Sequence, residues 1–138
     1  MFSGFQIFTI PTGSGRFSHI KYRPLKRDAT LFSPEVIGRE VDFVRLMILD
    51  GQGGGIGATL IKGLRASLGL DLEILALGTN SIATSRMMKA GANRGGSGEN
   101  AIVRTSHGVD VIIGPVSILM ANAMMGELTP RMATAVSS

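Results

Sequence analysis

The chain has 138 residues, a length typical of one domain, and 44% of them are hydrophobic, which is enough for a core. Charged residues make up 17%, and the formal net charge is +4. No apolar run approaches the ~18 residues that a membrane helix needs, so we expect no membrane partner. The sequence has no cysteine, which excludes disulfides, thiolate metal sites and cysteine nucleophiles and favours a cytoplasmic protein. With two histidines, it also predicts no metal site.

Composition changes near residue 44. All seven aromatic residues lie within the first 43 positions, which also carry the basic excess and no regular hydrophobic period. We therefore predict a poorly ordered basic and aromatic extension over residues 1–43 and a folded domain over residues 44–138. Residues 16–27 interleave cations with aromatic rings, a pattern also found in nucleic-acid contacts. A solvated tail is the ordinary explanation, and we do not expect a nucleic-acid partner.

Beyond residue 44, short apolar runs alternate with helical patterns. Strands are predicted over residues 46–49, 72–77 and 109–113. Helices are predicted over residues 56–68, 82–90, 117–125 and 130–138, with a short one beginning near residue 99. Alternating strands and helices favour an α/β fold, and we predict a small Rossmann-like three-layer sandwich with a mostly parallel sheet.

The strongest chemical signal follows the first predicted strand. It reads Asp50-Gly51-Gln52-Gly53-Gly54-Gly55-Ile56-Gly57 and leads into a predicted helix. Glycines let the backbone approach a ligand closely, and the N–H groups at a helix start attract an anion. We predict that this stretch, the glycine loop, binds phosphate; a tight turn without a ligand is the alternative. Asp50 would either hydrogen-bond the loop or coordinate a magnesium ion with the phosphate.

The spacing of these glycines narrows the ligand class. It fits neither the dinucleotide fingerprint G-x-G-x-x-G nor the phosphate loop that ends in Gly-Lys-Ser/Thr. Gly51-x-x-x-Gly55-Ile56-Gly57 resembles the cofactor loop of short-chain dehydrogenases, and this resemblance implies NAD(P) or another nucleotide as cofactor. The catalytic Tyr-x-x-x-Lys of that family has no counterpart, because the single tyrosine, Tyr22, lies upstream of the domain.

Two further loops are predicted to reach the same edge of the sheet. Gly78-Thr79-Asn80-Ser81 follows the second strand, and Gly114-Pro115 follows the third. Because the carboxyl ends of parallel strands share one edge, we expect these residues to line one crevice with the glycine loop. Helix capping explains Thr79, Asn80 and Ser81 equally well.

Charged residues near the second strand bear on ribose binding. In dinucleotide-binding folds, an acidic residue near the end of that strand holds the ribose hydroxyls. Asp71 and Glu73 stand at its beginning instead. Arg86 lies on the following helix, where a solvated position is the ordinary expectation and contact with a ribose phosphate is the alternative.

Four motifs together resemble a small bacterial family catalogued as a domain of unknown function. They are the glycine loop with its preceding strand, residues 78–85, residues 98–102 and residues 111–115. The resemblance implies a Rossmann-like cytoplasmic protein and supplies no reaction or catalytic residue. Members usually begin just before the first strand and end with a further strand that this sequence lacks. The resemblance therefore leads us to expect a truncated or misannotated reading frame, with Val44 or Met47 as its start.

Three functions stay open at this point. The leading interpretation is a sensor or regulatory module that binds a phosphate-bearing small molecule, a nucleotide or dinucleotide, through the glycine loop. The first alternative is an NAD(P)-dependent oxidoreductase, which the missing tyrosine, cysteine and well-placed histidine disfavour. The second is a homo-oligomeric scaffold that associates through a methionine-rich helix, although core packing is the usual role of such methionines. The sequence identifies no catalytic residue.

Overall fold

The computed structural model describes residues 7–11, 44–69 and 72–138. Its strands are β1 (Ile7–Pro11), β2 (Arg45–Asp50), β3 (Glu73–Gly78), β4 (Arg94–Ser97) and β5 (Val111–Pro115). Its α-helices are α1 (Gly55–Leu68), α2 (Ser81–Lys89), α3 (Glu99–Ser106) and α4 (Pro130–Ser137). A 3₁₀ helix spans Val116–Leu119. No helix in this part of the chain is long and apolar enough to span a membrane.

The sheet has the strand order β1-β5-β2-β3-β4. Strands β5, β2, β3 and β4 run parallel to one another, and β1 pairs with the outer edge of β5 in the antiparallel direction. Helices α1 and α2 pack together on one face, and α3 and α4 pack together on the other. The predicted α/β sandwich with a mostly parallel sheet is therefore confirmed.

Strand β2 lies at the centre and is buried on both faces. Met47 and Leu49 point into the apolar cluster beneath α3 and α4, whereas Ile48 points into the cluster beneath α1 and α2. All three side chains are fully buried. A strand covered on both faces needs apolar residues at consecutive positions, which is why β2 is a continuous hydrophobic run.

Two strands have no counterpart in the sequence prediction. Strand β4 has the sequence Arg-Gly-Gly-Ser, which lacks the apolar residues that indicate a strand, and it forms through its parallel pairing with β3. A Cβ at Gly95 would lie 2.9 Å from the Met88 sulfur and from the Thr84 methyl group, so these side chains would have to shift. Strand β1 falls within the predicted extension; the rest of that extension, including residues 16–27, lies outside the described residues. The boundary near residue 44 stays a prediction.

The predicted helix over residues 117–125 is wrong. The 3₁₀ helix ends at Leu119, and turns follow as far as Leu128. Residues 116–128 are called the methionine segment below. Asn122, Met124 and Met125 have φ values of 66°, 55° and 57°, in the left-handed region. An α-helix cannot contain such residues, so Met120, Met124 and Met125, which stand at helical spacing in the sequence, do not lie on one face of a helix.

Candidate functional site

The crevice predicted at the carboxyl edge of the sheet forms between the ends of β2 and β3. The N–H of Thr79 donates to the carbonyl of Asp50 at 3.1 Å, and the side-chain amide of Asn80 donates to the carbonyl of Gln52 at 2.9 Å. These bonds tie the glycine loop to the start of α2. The structure thus brings together two of the three loops that the sequence predicts to meet.

The third predicted loop, Gly114-Pro115, does not line the crevice as expected. Gly114 is buried at the end of β5, where a Cβ would clash with the carbonyl oxygen of Leu49 and lie 3.0 Å from the Ile118 side chain. Pro115 ends the strand and pairs with Ile7 of β1. The missing side chain of Gly114 therefore serves strand packing, and the polar contact from this side of the sheet comes from the methionine segment.

Asp50 organises the glycine loop. Its carboxylate is buried, and its two oxygens accept hydrogen bonds from the N–H groups of Gly51 and Gly57, each at 2.8 Å. These bonds close the turn between β2 and α1. Of the two roles that the sequence allows, they support loop organisation. Across the described residues, no three acidic or histidine side chains lie together as candidate metal ligands.

Several glycines are explained by close packing within the protein. At Gly54, the N-cap of α1, φ is +70°, and a Cβ would lie 2.7 Å from the Cα of Ala83. A Cβ at Gly57 would clash with the Met87 side chain. These two glycines let α1 and α2 approach each other closely and require no ligand.

Gly53 and Gly55 have no such internal explanation. Neither has a φ in the left-handed region, and the nearest atom to a Cβ at either position belongs to the Arg86 guanidinium, 3.7 and 3.6 Å away. Arg86 is exposed and donates a long hydrogen bond of 3.4 Å to the carbonyl of Gly53. The N–H groups of Gly53, Gly55 and Ile56 have no hydrogen-bond acceptor among the described residues. Backbone donors and a cation therefore surround this outer face of the loop.

Asn80 is the N-cap of α2. Helix capping is one of the two roles that the sequence allows for it, beside lining the crevice. Its side-chain oxygen accepts from the N–H of Ala83 at 2.9 Å. The same amide donates to Gln52, so Asn80 serves the cap and the crevice together. Ser81 is the exposed first residue of α2.

Glu127, at the end of the methionine segment, is the site residue that the sequence analysis missed. Its Oε2 accepts hydrogen bonds from the N–H of Gln52 at 2.8 Å, from the Asn80 amide at 3.0 Å and from the Thr79 hydroxyl. The hydroxyl of Thr79, then the N–H of Gln52, lower the pKa of this carboxyl; desolvation opposes them. The sequence offers one indication of this role, because Glu127 is the single acidic residue after Asp110. The helix predicted over residues 117–125 gave no reason to place Glu127 beside the glycine loop.

Glu73 and His107 lie away from the crevice. Glu73 begins β3 and forms ion pairs with Arg45, at 2.9 Å, and with Arg94. His107 is the C-cap of α3, at the amino edge of the sheet, because helices in this fold run opposite to the strands. Asp71 lies outside the described residues.

A family model described as a domain of unknown function (DUF3842) matches residues 45–138. The chain belongs to this family. The match contains the four parallel strands, the glycine loop and Glu127. Membership of a family of unknown function is thus confirmed. No curated protein and no solved structure matches the chain.

The charges of the crevice are divided between its two sides. Arg86 and the free N–H groups make the outer face of the glycine loop electropositive. On the inner side, the carboxylate of Glu127 is held against Gln52, Thr79 and Asn80. An anion is attracted to the first side, and a hydrogen-bond donor to the second.

Proposed function

We propose that this protein binds a phosphate-bearing small molecule, a nucleotide or dinucleotide, and acts as a sensor or regulatory module. The phosphate lies on the outer face of the glycine loop, over Gly53 and Gly55 at the start of α1. NAD(P) is one ligand of this class.

The observation that carries this proposal is that neither backbone conformation nor close packing requires glycine at positions 53 and 55. A Cβ at Gly53 or Gly55 would lie beside the Arg86 guanidinium at ordinary van der Waals distance and would clash with nothing in the described residues. Glycine at both positions keeps that space open to an outside group, which the backbone N–H groups can then approach. A phosphate beside Arg86 would accept charge-assisted hydrogen bonds from both.

Binding is favoured over catalysis by the chemistry of the side chains at hand. The crevice offers backbone and amide donors, a threonine hydroxyl, one arginine and one carboxylate. Within the described residues it contains no histidine or tyrosine. No observation favours the oxidoreductase alternative. The scaffold alternative depends on a methionine-rich helix that does not form.

The test is a titration of inorganic phosphate, AMP, ATP, NAD⁺ and NADP⁺, followed by calorimetry and by the melting temperature. We expect at least one of the nucleotides to bind and to raise the melting temperature. Gly55→Val should weaken that binding by at least tenfold, because the branched side chain blocks approach to the N–H groups. Gly63→Val is the matched control, since Gly63 lies in the same helix with nothing within 4 Å of its Cβ position. Equal binding by both variants, or no binding to the unaltered chain, would contradict the proposal.

Arg86→Ala tests the cationic side of the site. We expect affinity for the bound nucleotide to fall about tenfold, the size of one charge-assisted hydrogen bond. Lys89→Ala, in the last turn of the same helix, removes an equal charge from an exposed position. If the two variants weaken binding equally, net charge attracts the ligand and Arg86 does not contact it.

A further inference from the structure

Within the described residues, only one of the two carboxylate oxygens of Glu127 accepts hydrogen bonds. All three of its hydrogen bonds end on Oε2, from Gln52, Thr79 and Asn80. Oε1 accepts no hydrogen bond from the described residues. The side chain is half-buried, and no buried side-chain nitrogen or oxygen among the described residues lacks a partner, so Oε1 remains accessible. One oxygen of this carboxylate is thus fixed by the protein, and the other is available.

The fold presents this carboxylate rigidly. Leu128, the next residue, is fully buried, and its N–H donates to the carbonyl of Ala123 at 3.2 Å. The N–H of Glu127 itself donates to the carbonyl of Met124 at 3.2 Å. Because its pKa is lowered, the group is ionised at neutral pH. An ionised acceptor in a fixed position is preorganised for a donor on a ligand.

The residue that binds this carboxylate, Gln52, directly precedes the proposed phosphate position in the chain. Glu127 accepts from the N–H of Gln52, and the free N–H groups begin at the next residue, Gly53. Consecutive Cα atoms are about 3.8 Å apart, so the N–H that Glu127 binds and the first free N–H belong to adjacent peptide groups. A second phosphate at Glu127 would be repelled, whereas a hydroxyl would be bound.

We propose that Glu127 is a specificity-determining residue that selects ligands carrying sugar hydroxyls beside the phosphate. The ligand class is therefore a ribose phosphate, as in a ribonucleotide. The inference rests on the proposed function, since it assigns the inner side of the crevice whose outer side binds the phosphate. It names Oε1 as the atom that accepts the hydroxyl.

The first test compares ligands on the unaltered chain. AMP and its 2′,3′-dideoxy analogue have the same base and phosphate and differ in the two hydroxyls. We expect the affinity for AMP to be roughly tenfold to a hundredfold higher, the size of a hydrogen bond to a charged acceptor. Ribose 5-phosphate, as a third probe, should also bind better than inorganic phosphate.

The second test uses Glu127→Gln. A glutamine carbonyl oxygen can replace Oε2 as the acceptor that faces Gln52, Thr79 and Asn80, although it has two lone pairs for their three donors, so we expect the fold to be retained. Its NH₂ group then occupies the position of Oε1 and offers donors where the hydroxyls need an acceptor. We expect the preference for AMP over the dideoxy analogue to disappear, while circular dichroism and the melting temperature report a folded chain.

The possible failures are distinct. Equal affinities for AMP and the dideoxy analogue in the unaltered chain would overturn this inference and leave the proposed function standing. Tighter binding of AMP by Glu127→Gln would also overturn it, because Glu127 would then be competing with the ligand for the donors of the loop. If none of the probes binds, inorganic phosphate and the dinucleotides included, the proposed function fails and the inference fails with it.

Discussion

The glycine loop and the methionine segment lie at the same edge of the sheet, and both reverse the direction of the chain after a parallel strand. Each connects a buried parallel strand to the next layer through left-handed backbone. In the glycine loop, Gly54 takes such a conformation without steric cost, and Gln52 (φ 50°) is the one non-glycine residue that shares it. In the methionine segment, Asn122, Met124 and Met125 take it together with Gly126, and the two methionines incur strain. The first turn depends mainly on its own glycine, whereas the second is imposed by its surroundings.

What imposes the second turn is burial at both of its ends. Ile118 and Leu128 are fully buried, and the carbonyl of Leu128 accepts from the N–H of Asn122 at 2.7 Å. Glu127 adds its contacts to the glycine loop. The segment between these anchors has to reverse direction within a few residues. Among the described residues, non-glycine left-handed backbone therefore lies in the two segments that bring polar groups to the crevice.

The largest expected effect concerns the locally encoded turn. Gly54→Val should destabilise the fold by about 3 kcal/mol, because it combines a left-handed φ with a clash against the backbone of Ala83. Unfolding in urea measures this effect. Gly63→Val, at an open position of the same helix, should change the free energy of unfolding by less than about 0.5 kcal/mol. Similar losses in both variants would mean that the turn does not need glycine.

The second prediction removes the contact that joins the two regions. Glu127→Ala leaves the donors of Gln52, Thr79 and Asn80 without their acceptor and should cost about 1–2 kcal/mol of stability. Glu127→Gln keeps an acceptor in place and should cost less than half as much. Equal losses for alanine and glutamine would show that the charge of Glu127, and not its hydrogen bonding, holds the segment.

The third prediction is a dependence of stability on pH. The pKa values of Glu127 and Glu73 are lowered in the folded state, Glu127 chiefly by the Thr79 hydroxyl and Glu73 chiefly by its hydrogen bond from Arg94. Their contributions are fully present above the unfolded value of ~4.3 and are lost as the pH falls through the folded values. The free energy of unfolding, measured from pH 7 to pH 3, should therefore fall less steeply in Glu127→Gln. An unchanged pH profile would count against an ionised Glu127.

The parts of the fold that local patterns encode are predictable from the sequence. The buried run of β2, the turn at Gly54 and the cap at Asn80 each depend on residues within a few positions of one another. The side chain of Thr129 caps α4 in the same way, ahead of Pro130. Patterns of this kind indicate burial and capping; the sequence predicts the buried run of β2 and gives capping by Asn80 as one of two alternatives.

The parts that distant contacts determine are not predictable in this way. Strand β4 forms because its backbone pairs with the free edge of β3, although glycines have a low strand propensity. Methionines at helical spacing indicate a helix, whereas the burial of Ile118 and Leu128 and the hydrogen bonds of Glu127 favour the turn instead. The sequence therefore indicates that the glycine loop and residues 78–81 meet, but it does not indicate that Glu127 joins them.

The smallest expected effect tests whether the methionine segment is strained. Met125 has φ 57° and is 97% exposed, so its side chain contributes little to packing. Met125→Gly should raise the free energy of unfolding by about 0.5 kcal/mol, since relief of the left-handed backbone (about 1 kcal/mol) outweighs the added entropy of the unfolded chain. Thermal unfolding should show a rise of about 2–4 °C. Met120→Gly is the control, because Met120 is also exposed but has an extended φ of −109°, so it should lower stability instead. Loss of stability in both variants would mean that the turn at Met125 costs the protein nothing, and the contrast with the glycine loop would disappear.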